Sequence, residues 1–204
     1  CYIGKRNLEN GLAETAADAD APQVEVTFHS YELSPDTPVD FEGDEIDFLA
    51  GHKGMPRERV KEMLDNVTGV AAKAGLEYRF DLLKHTNTVK AHEALHFAKA
   101  KGRQLELAER LMSAYFTEGR HLGDDDELAA LAADVGLDAD EVRTALRERT
   151  YLDAVLADLG AHDITRLAPS PVGIAGLVAD AGADLGLLAE PDHLLSRSFR
   201  VRID

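Results

Sequence analysis

Cysteine is almost missing from this sequence: 204 residues hold one, Cys1, and tryptophan is absent altogether. A single thiol cannot close an internal disulfide, so the chain is no bridge-stapled secreted framework, and a reducing compartment, the cytoplasm, is the expected location. Positive charge is scarce as well. Lys and Arg total 22 against 38 Asp and Glu, a net charge of -16 that repels phosphate backbones and anionic lipid surfaces and so argues against nucleic acid as a partner. No apolar run approaches the roughly 18 residues needed to span a bilayer, and the opening residues show no basic start followed by an apolar block, so a soluble protein without a membrane partner is expected. What is present, 45% hydrophobic and 29% charged residues, suffices to bury a core in one large domain or in a domain with an insertion.

Taken in order, Ile3, Leu8, Leu12 and Ala16 recur at near-helical spacing and predict a helix from Ile3 to about Ala17. Ala17 to Pro22 breaks it, and Val24 to Leu33 alternates apolar and polar positions with β-branched and aromatic residues, as a strand does. Ser34-Pro35-Asp36-Thr37-Pro38 supplies turn chemistry. From Asp44 to about Gly160 the pattern is helical. Val60, Met63, Leu64, Val67, Val70, Ala71 and Ala74 form one apolar face that stops at Gly75, and Leu76 to Phe80 reads as a minor strand. Further helices are predicted over Thr88–Lys101 with Asn87 as cap, Leu105–Thr117, Asp124–Val135 behind an acidic start, and Asp138 to about Leu159. After Asp163 the chain turns rich in Gly, Ala, Leu and Pro, with a strand signal only at Phe199–Ile203.

The stretch Cys1-Tyr2-Ile3-Gly4-Lys5-Arg6 resembles the end of the active-site motif of the DsbA-like disulfide oxidoreductases, in their FrnE-like branch. Four other stretches follow that family in order: Tyr31-Glu32-Leu33-Ser34-Pro35-Asp36, Asn87-Thr88 with Ala91-His92 and His96-Phe97-Ala98, Ala114 to Gly119, and Asp124 to Asp138. The resemblance covers roughly Cys1 to Ala157. It implies an α/β, thioredoxin-like fold with a large all-helical insertion, helix-rich overall. Residues 1–40 and 162–204 would form the thioredoxin-like part, with its first strand missing and its C-terminal part atypical, and residues 41–161 the insertion. It also implies dithiol–disulfide exchange, as an oxidoreductase or isomerase without cofactor, on protein or small-molecule thiols and disulfides, with a homodimer as an option. Cys1 would be the second, resolving cysteine of the motif, whose first cysteine belongs three positions before it. The family's cis-proline segment is expected after Asp163-Ile164-Thr165, where this chain reads Arg166-Leu167-Ala168-Pro169-Ser170-Pro171. The expectation is a truncated member with impaired exchange, a C-terminal stretch of the kind a reading-frame change produces, and poor stability unless something replaces the strand that should lie beside Val24–Leu33.

Other readings compete for the same residues. A lipidated first cysteine is one, but Tyr2-Ile3 runs directly into a helix with no small-residue tether. A thioredoxin-fold protein that binds or dimerises without catalysis is another. His92-Glu93-Ala94-Leu95-His96 is a literal His-Glu-x-x-His, in which two imidazoles a helical turn apart bind zinc and the glutamate activates water, with Glu118 as a third ligand by distance along the chain. The family resemblance explains His92 and His96 as packing residues with no role for Glu93. Lys5 and Arg6 are either cations that bias Cys1 towards thiolate or part of an exposed helix face. Asp124-Asp125-Asp126 reads as a solvated helix start. His29, His52, His85, His121, His162 and His193 show no ligand spacing and are expected on the surface or in loops.

Overall fold

Helix α1 (Tyr2–Thr15) begins one residue after Cys1 and is followed by the strand β1 (Val24–Phe28). The computed structural model describes residues 1–15, 24–161 and 199–203. The proline segment expected near residue 166 lies outside them, as do His162 and His193. β1 pairs antiparallel with β2 (Phe199–Ile203), Val24 opposite Ile203 and Phe28 opposite Phe199, so the late strand signal is real and β1 has a partner along its length. The strand is shorter than its alternation predicts. Beyond Phe28 the backbone groups are claimed by side chains: the Ser30 amide donates to Asp158 Oδ2 at 2.8 Å and the Tyr31 carbonyl lies 3.1 Å from His92 Nε2. At Phe28 itself the Gln104 amide accepts from the backbone N–H (3.2 Å) and donates to the C=O (3.0 Å), standing in for one residue of a neighbouring strand.

Among the described residues seven helices follow: α2 (Glu45–Lys53), α3 (Arg57–Lys73), α4 (Val89–Ala100), α5 (Gln104–Phe116), α6 (Asp125–Asp134), α7 (Ala139–Arg147) and α8 (Leu152–Ala161). Side chains cap several of their starts. Asp44 and Asp47 form a reciprocal capping box, Asp124 accepts from the Glu127 amide, Asp138 from those of Asp140 and Glu141, and Asn87 Oδ1 accepts from the Val89 amide at 2.9 Å. Gly119 has φ +67, and a Cβ there would sit 2.5 Å from the Leu82 carbonyl oxygen, so both conformation and space demand glycine.

Two expectations fail for physical reasons. Leu76–Phe80 is not a strand: Leu76 and Tyr78 do turn inward, but the Arg79 amide donates to the Phe116 carbonyl (2.7 Å) at a helix end rather than to a neighbouring strand. The single helix expected over Asp138–Leu159 is two, α7 and α8, broken where Arg149 takes the left-handed conformation at φ 55. That conformation costs a non-glycine residue about 1 kcal/mol. It delivers the Arg149 guanidinium to Glu93 on α4, Nε 2.9 Å and Nη2 2.8 Å from Oε1, while the Thr150 amide closes on the Ala145 carbonyl. Glu93 is 1% exposed, and a carboxylate so buried requires a cation.

The larger core joins α4 to α7 through the fully buried Leu107, Leu128, Leu131, Val142 and Leu146. A second, aromatic core joins α1 to α3 and α5 through Tyr2, Ala71, Leu76 and Tyr78, with Met112 and Phe116 against them. Arg149→Ala should destabilise by about 3 kcal/mol in denaturant unfolding, the lower end for stripping a buried carboxylate of its partner, since the guanidinium is itself partly exposed. Replacing the pair together, as Glu93→Leu with Arg149→Met, should restore most of that loss; a double variant no more stable than Arg149→Ala would show that the pair is not what the site requires.

Candidate functional site

Cys1 is exposed, and its carbonyl accepts the Lys5 amide at 2.8 Å, so the thiol stands at the amino end of α1, where free amides and the helix dipole favour an anion. The next residue anchors that end. The Tyr2 ring is 4% exposed and stacks with Phe116 (6.1 Å between centroids) and Tyr78 (6.4 Å), while those two stack on each other at 4.4 Å. Its hydroxyl donates to Glu109 Oε1 at 2.7 Å; burial first and this carboxylate second push the phenol up to about 12. The Lys5 ammonium reaches both Glu9 and Glu109, and Arg6 Nη2 lies 2.7 Å from Glu109 Oε1. Partial burial opposes the charge on Glu109, yet donors from Lys5 and Tyr2 and the charges of Lys5 and Arg6 hold its carboxyl below the usual range. Lys5 is 7% exposed, so it belongs to no exposed helix face.

Cys1 borders a cavity of about 240 Å³. Its floor and walls come from Phe28 at the end of the strand and Tyr31 beyond it, Ala91, His92 and Leu95 on α4, and Ala108, Leu111, Met112, Tyr115 and Phe116 on α5, with Leu33 exposed at the rim. Threonine and serine hydroxyls and histidine rings supply its polar groups. Among the described residues no side-chain carboxylate, ammonium or guanidinium lines it. The spacing that makes α4 amphipathic is what turns Ala91, His92 and Leu95 to this side and Glu93 to the other.

Behind the wall, Asp158 on α8 gathers three elements. It lies 3.0 Å from His29 Nδ1 and 3.1 Å from His96 Nε2, besides accepting the Ser30 amide. Burial works to raise its pKa, but the Ser30 amide and His29 outweigh that and hold it below the usual carboxylate range. Ser30 Oγ lies 3.1 Å from the same His96 nitrogen that faces Asp158, so serine, histidine and aspartate form no relay through opposite ring nitrogens. His92 faces the cavity, its Nε2–H donating to the Tyr31 carbonyl, and burial pulls its pKa down to about 4.

These positions separate the members of the His-Glu-x-x-His pattern. His92 is bonded to Tyr31, His96 to Asp158 and Ser30, Glu93 to Arg149 in the core, and Glu118 to Arg110 through two bonds of 2.6 and 3.0 Å. Among the described residues no three His, Cys, Asp or Glu side chains are grouped to hold an ion. The acidic run at 124–126 caps α6 and pairs with Lys90 and Arg143. His29 and His85 lie in loops, as expected, but both are mostly buried and paired, His85 Nδ1 at 2.8 Å from Glu45 and its ring stacked on Phe48.

The DSBA-like thioredoxin domain family matches residues 1–161. The chain belongs to this family. A crystal structure of a probable DsbA oxidoreductase from Streptomyces coelicolor is similar to it with a TM-score of 0.75 and 28% identity, over 93% of this chain and 86% of that one. The Bacillus subtilis protein YwbO, described as uncharacterized, is 30% identical over 192 residues, 91% of this chain and 86% of YwbO. The fold of this DsbA-like protein is therefore thioredoxin-like and, among the described residues, helix-rich. No helix among the described residues is long and apolar enough to cross a membrane.

Of the residues singled out in the sequence, Cys1 and His92 meet at the DsbA-like cavity, while Glu93 and Glu118 are turned elsewhere. Glu109, Asp158, His29 and Arg149 gave no signal, because their partners lie between 56 and 129 positions away in the chain. His92 generates a pH prediction. Its folded pKa of about 4 lies below the ordinary 6.5, so between those values the unfolded chain binds a proton that the folded chain refuses, and stability present above pH 6.5 is lost as pH falls through that window. Urea unfolding should show His92 contributing a loss of up to about 2 kcal/mol between pH 7 and pH 5, and His92→Gln should remove it. An unchanged pH slope in the variant would assign the loss to other groups.

Proposed function

We propose that this protein exchanges thiols and disulfides at Cys1, as a member of the FrnE-like branch of the DsbA family acting as oxidoreductase or isomerase in the cytoplasm. The observation that carries the reading is the position of Cys1, at the amino end of a helix and on the rim of an uncharged cavity, in a chain of this family. In the first step the Cys1 thiolate attacks one sulfur of a disulfide RS–SR′. A bond forms between Cys1 Sγ and RS, the substrate's S–S bond breaks, and R′S⁻ departs and takes a proton from water. Cys1 is oxidised to the disulfide level as R′S is reduced to thiol, so the step needs no outside oxidant or reductant.

Completing a cycle needs a second thiolate. Within these 204 residues Cys1 is the single thiol, and its mixed disulfide waits for an external thiol. Preceded by the family's first cysteine three positions before it, Cys1 becomes the resolving residue: it attacks the mixed disulfide held on that cysteine, forms the internal bridge and releases the reduced partner. The cavity suits apolar segments that carry the reacting sulfur, since it buries uncharged surface and has no fixed charge to hold an ionic one. With this reading goes a division of the chain into a thioredoxin-like part, 1–40 with 162–204, and a helical insertion, 41–161, and a homodimer as an option.

The chain as written should form a one-to-one mixed disulfide with glutathione disulfide, read by mass spectrometry and lost in Cys1→Ser, without turning over in insulin reduction. A version extended by a strand and Cys-Pro-Trp ahead of Cys1 should turn over. A folded chain whose Cys1 reacts with no disulfide, or insulin reduction that survives Cys1→Ser in the extended version, would sink the proposal.

A further inference from the structure

The cations beside Cys1 are held from another element. Glu109, on α5, takes donors from three residues in the first turn and a half of α1: the Tyr2 hydroxyl at 2.7 Å, the Lys5 ammonium, and Arg6 Nη2 at 2.7 Å. Glu9 adds a second carboxylate to Lys5 and lies 3.3 Å from Arg6 Nε. Among the described residues, the other side chains packed against this cluster carry no charge: Tyr78 from the segment after α3, Phe116 and Ser113 from α5. Two cations therefore meet two carboxylates, and the sum one turn from the thiol is zero. Lys5 cannot simply swing into water, being 7% exposed.

We infer that Glu109 is a positioning residue for exchange at Cys1: by holding Lys5 and Arg6 it balances the side-chain charge beside the thiol and thereby helps set how much of Cys1 is present as thiolate. This rests on the reading of Cys1 as the exchanging thiol. The physical reason is distance. Lys5 is four residues from Cys1, a rise of about 6 Å along a helix, so its charge acts on the thiol through partly screened solvent. Removing the negative charge of Glu109 leaves a net positive charge there, which favours thiolate; removing Lys5 instead leaves a net negative charge, which disfavours it.

The test is the pH dependence of Cys1 alkylation by iodoacetamide, a neutral reagent, in the full chain and in Glu109→Gln, Lys5→Met and the double variant. Glu109→Gln should move the midpoint down by about half a pH unit, so that alkylation well below the midpoint is about threefold faster, and added salt should shrink the shift. Lys5→Met should move it up by a similar amount, and the double variant should return near the original. Should Glu109→Gln fail to fold, the upward shift in Lys5→Met decides alone. A merely structural clamp would lower the unfolding midpoint of these variants and leave the alkylation midpoint where it was, and that result overturns the inference while Cys1 still forms its mixed disulfide. Absence of any mixed disulfide at Cys1 would instead remove the functional reading, and the inference with it.

Discussion

The docking of Tyr2 onto α5 is the contact on which the rest of the arrangement depends. One side chain does two things at once: its ring enters the stack with Tyr78 and Phe116, and its hydroxyl donates to Glu109. Burying an aromatic ring supplies adhesion without direction, whereas the hydroxyl bond fixes which way the helix faces. With the amino end of α1 held this way, Cys1 has to open onto the cavity that α4 and α5 line. Tyrosine fits the requirement better than phenylalanine because the far end of the ring meets the Glu109 carboxylate, to which its hydroxyl adds a third donor beside Lys5 and Arg6.

The same economy governs the buried charges. Glu93, Asp158 and Glu109 each sit where a carboxylate is costly, and each is answered by groups from a different element: Arg149 beyond α7, the turn after β1, and the first turns of α1. Such pairs add little net stability over well-packed apolar residues, but stripping one partner is expensive, so each pins the relative position of two elements more firmly than packing alone. Asp158 shows this best. It ends the ladder at Phe28 by taking the Ser30 amide, orients His29 and His96, and so shapes the back of the cavity without entering it.

What the sequence made legible follows from the range of the interactions concerned. Helices with caps and periodic faces are short-range objects, and α1, α3, α4, α5 and α6 lie within a few residues of their expected places. The antiparallel partner of β1 was visible as alternation at Phe199–Ile203, although nothing in that stretch says which strand it joins. The break at Arg149 was invisible because it uses neither glycine nor proline; it exists for the sake of a carboxylate 56 positions earlier. Leu76–Phe80 misled for the converse reason. Alternation reports which side chains are buried, and an extended segment lying on a helix bundle alternates as a strand does without having a neighbour to pair with.

The His-Glu-x-x-His pattern makes the limit of local reading concrete. On a helix, residues i and i+4 share a face and i+1 lies about 100° away, so His92 and His96 were bound to point together and Glu93 was bound to point elsewhere. A metallopeptidase uses this by placing its glutamate at the edge of the metal face. Here the helix packs so that the direction of Glu93 is the interior of the α4–α7 core, and the two histidines, though neighbours, are each drawn to a separate acceptor. Which of these outcomes a helix adopts is decided by what lies opposite each face. That is why the cavity and its thiol derive their character from α4, α5 and α8.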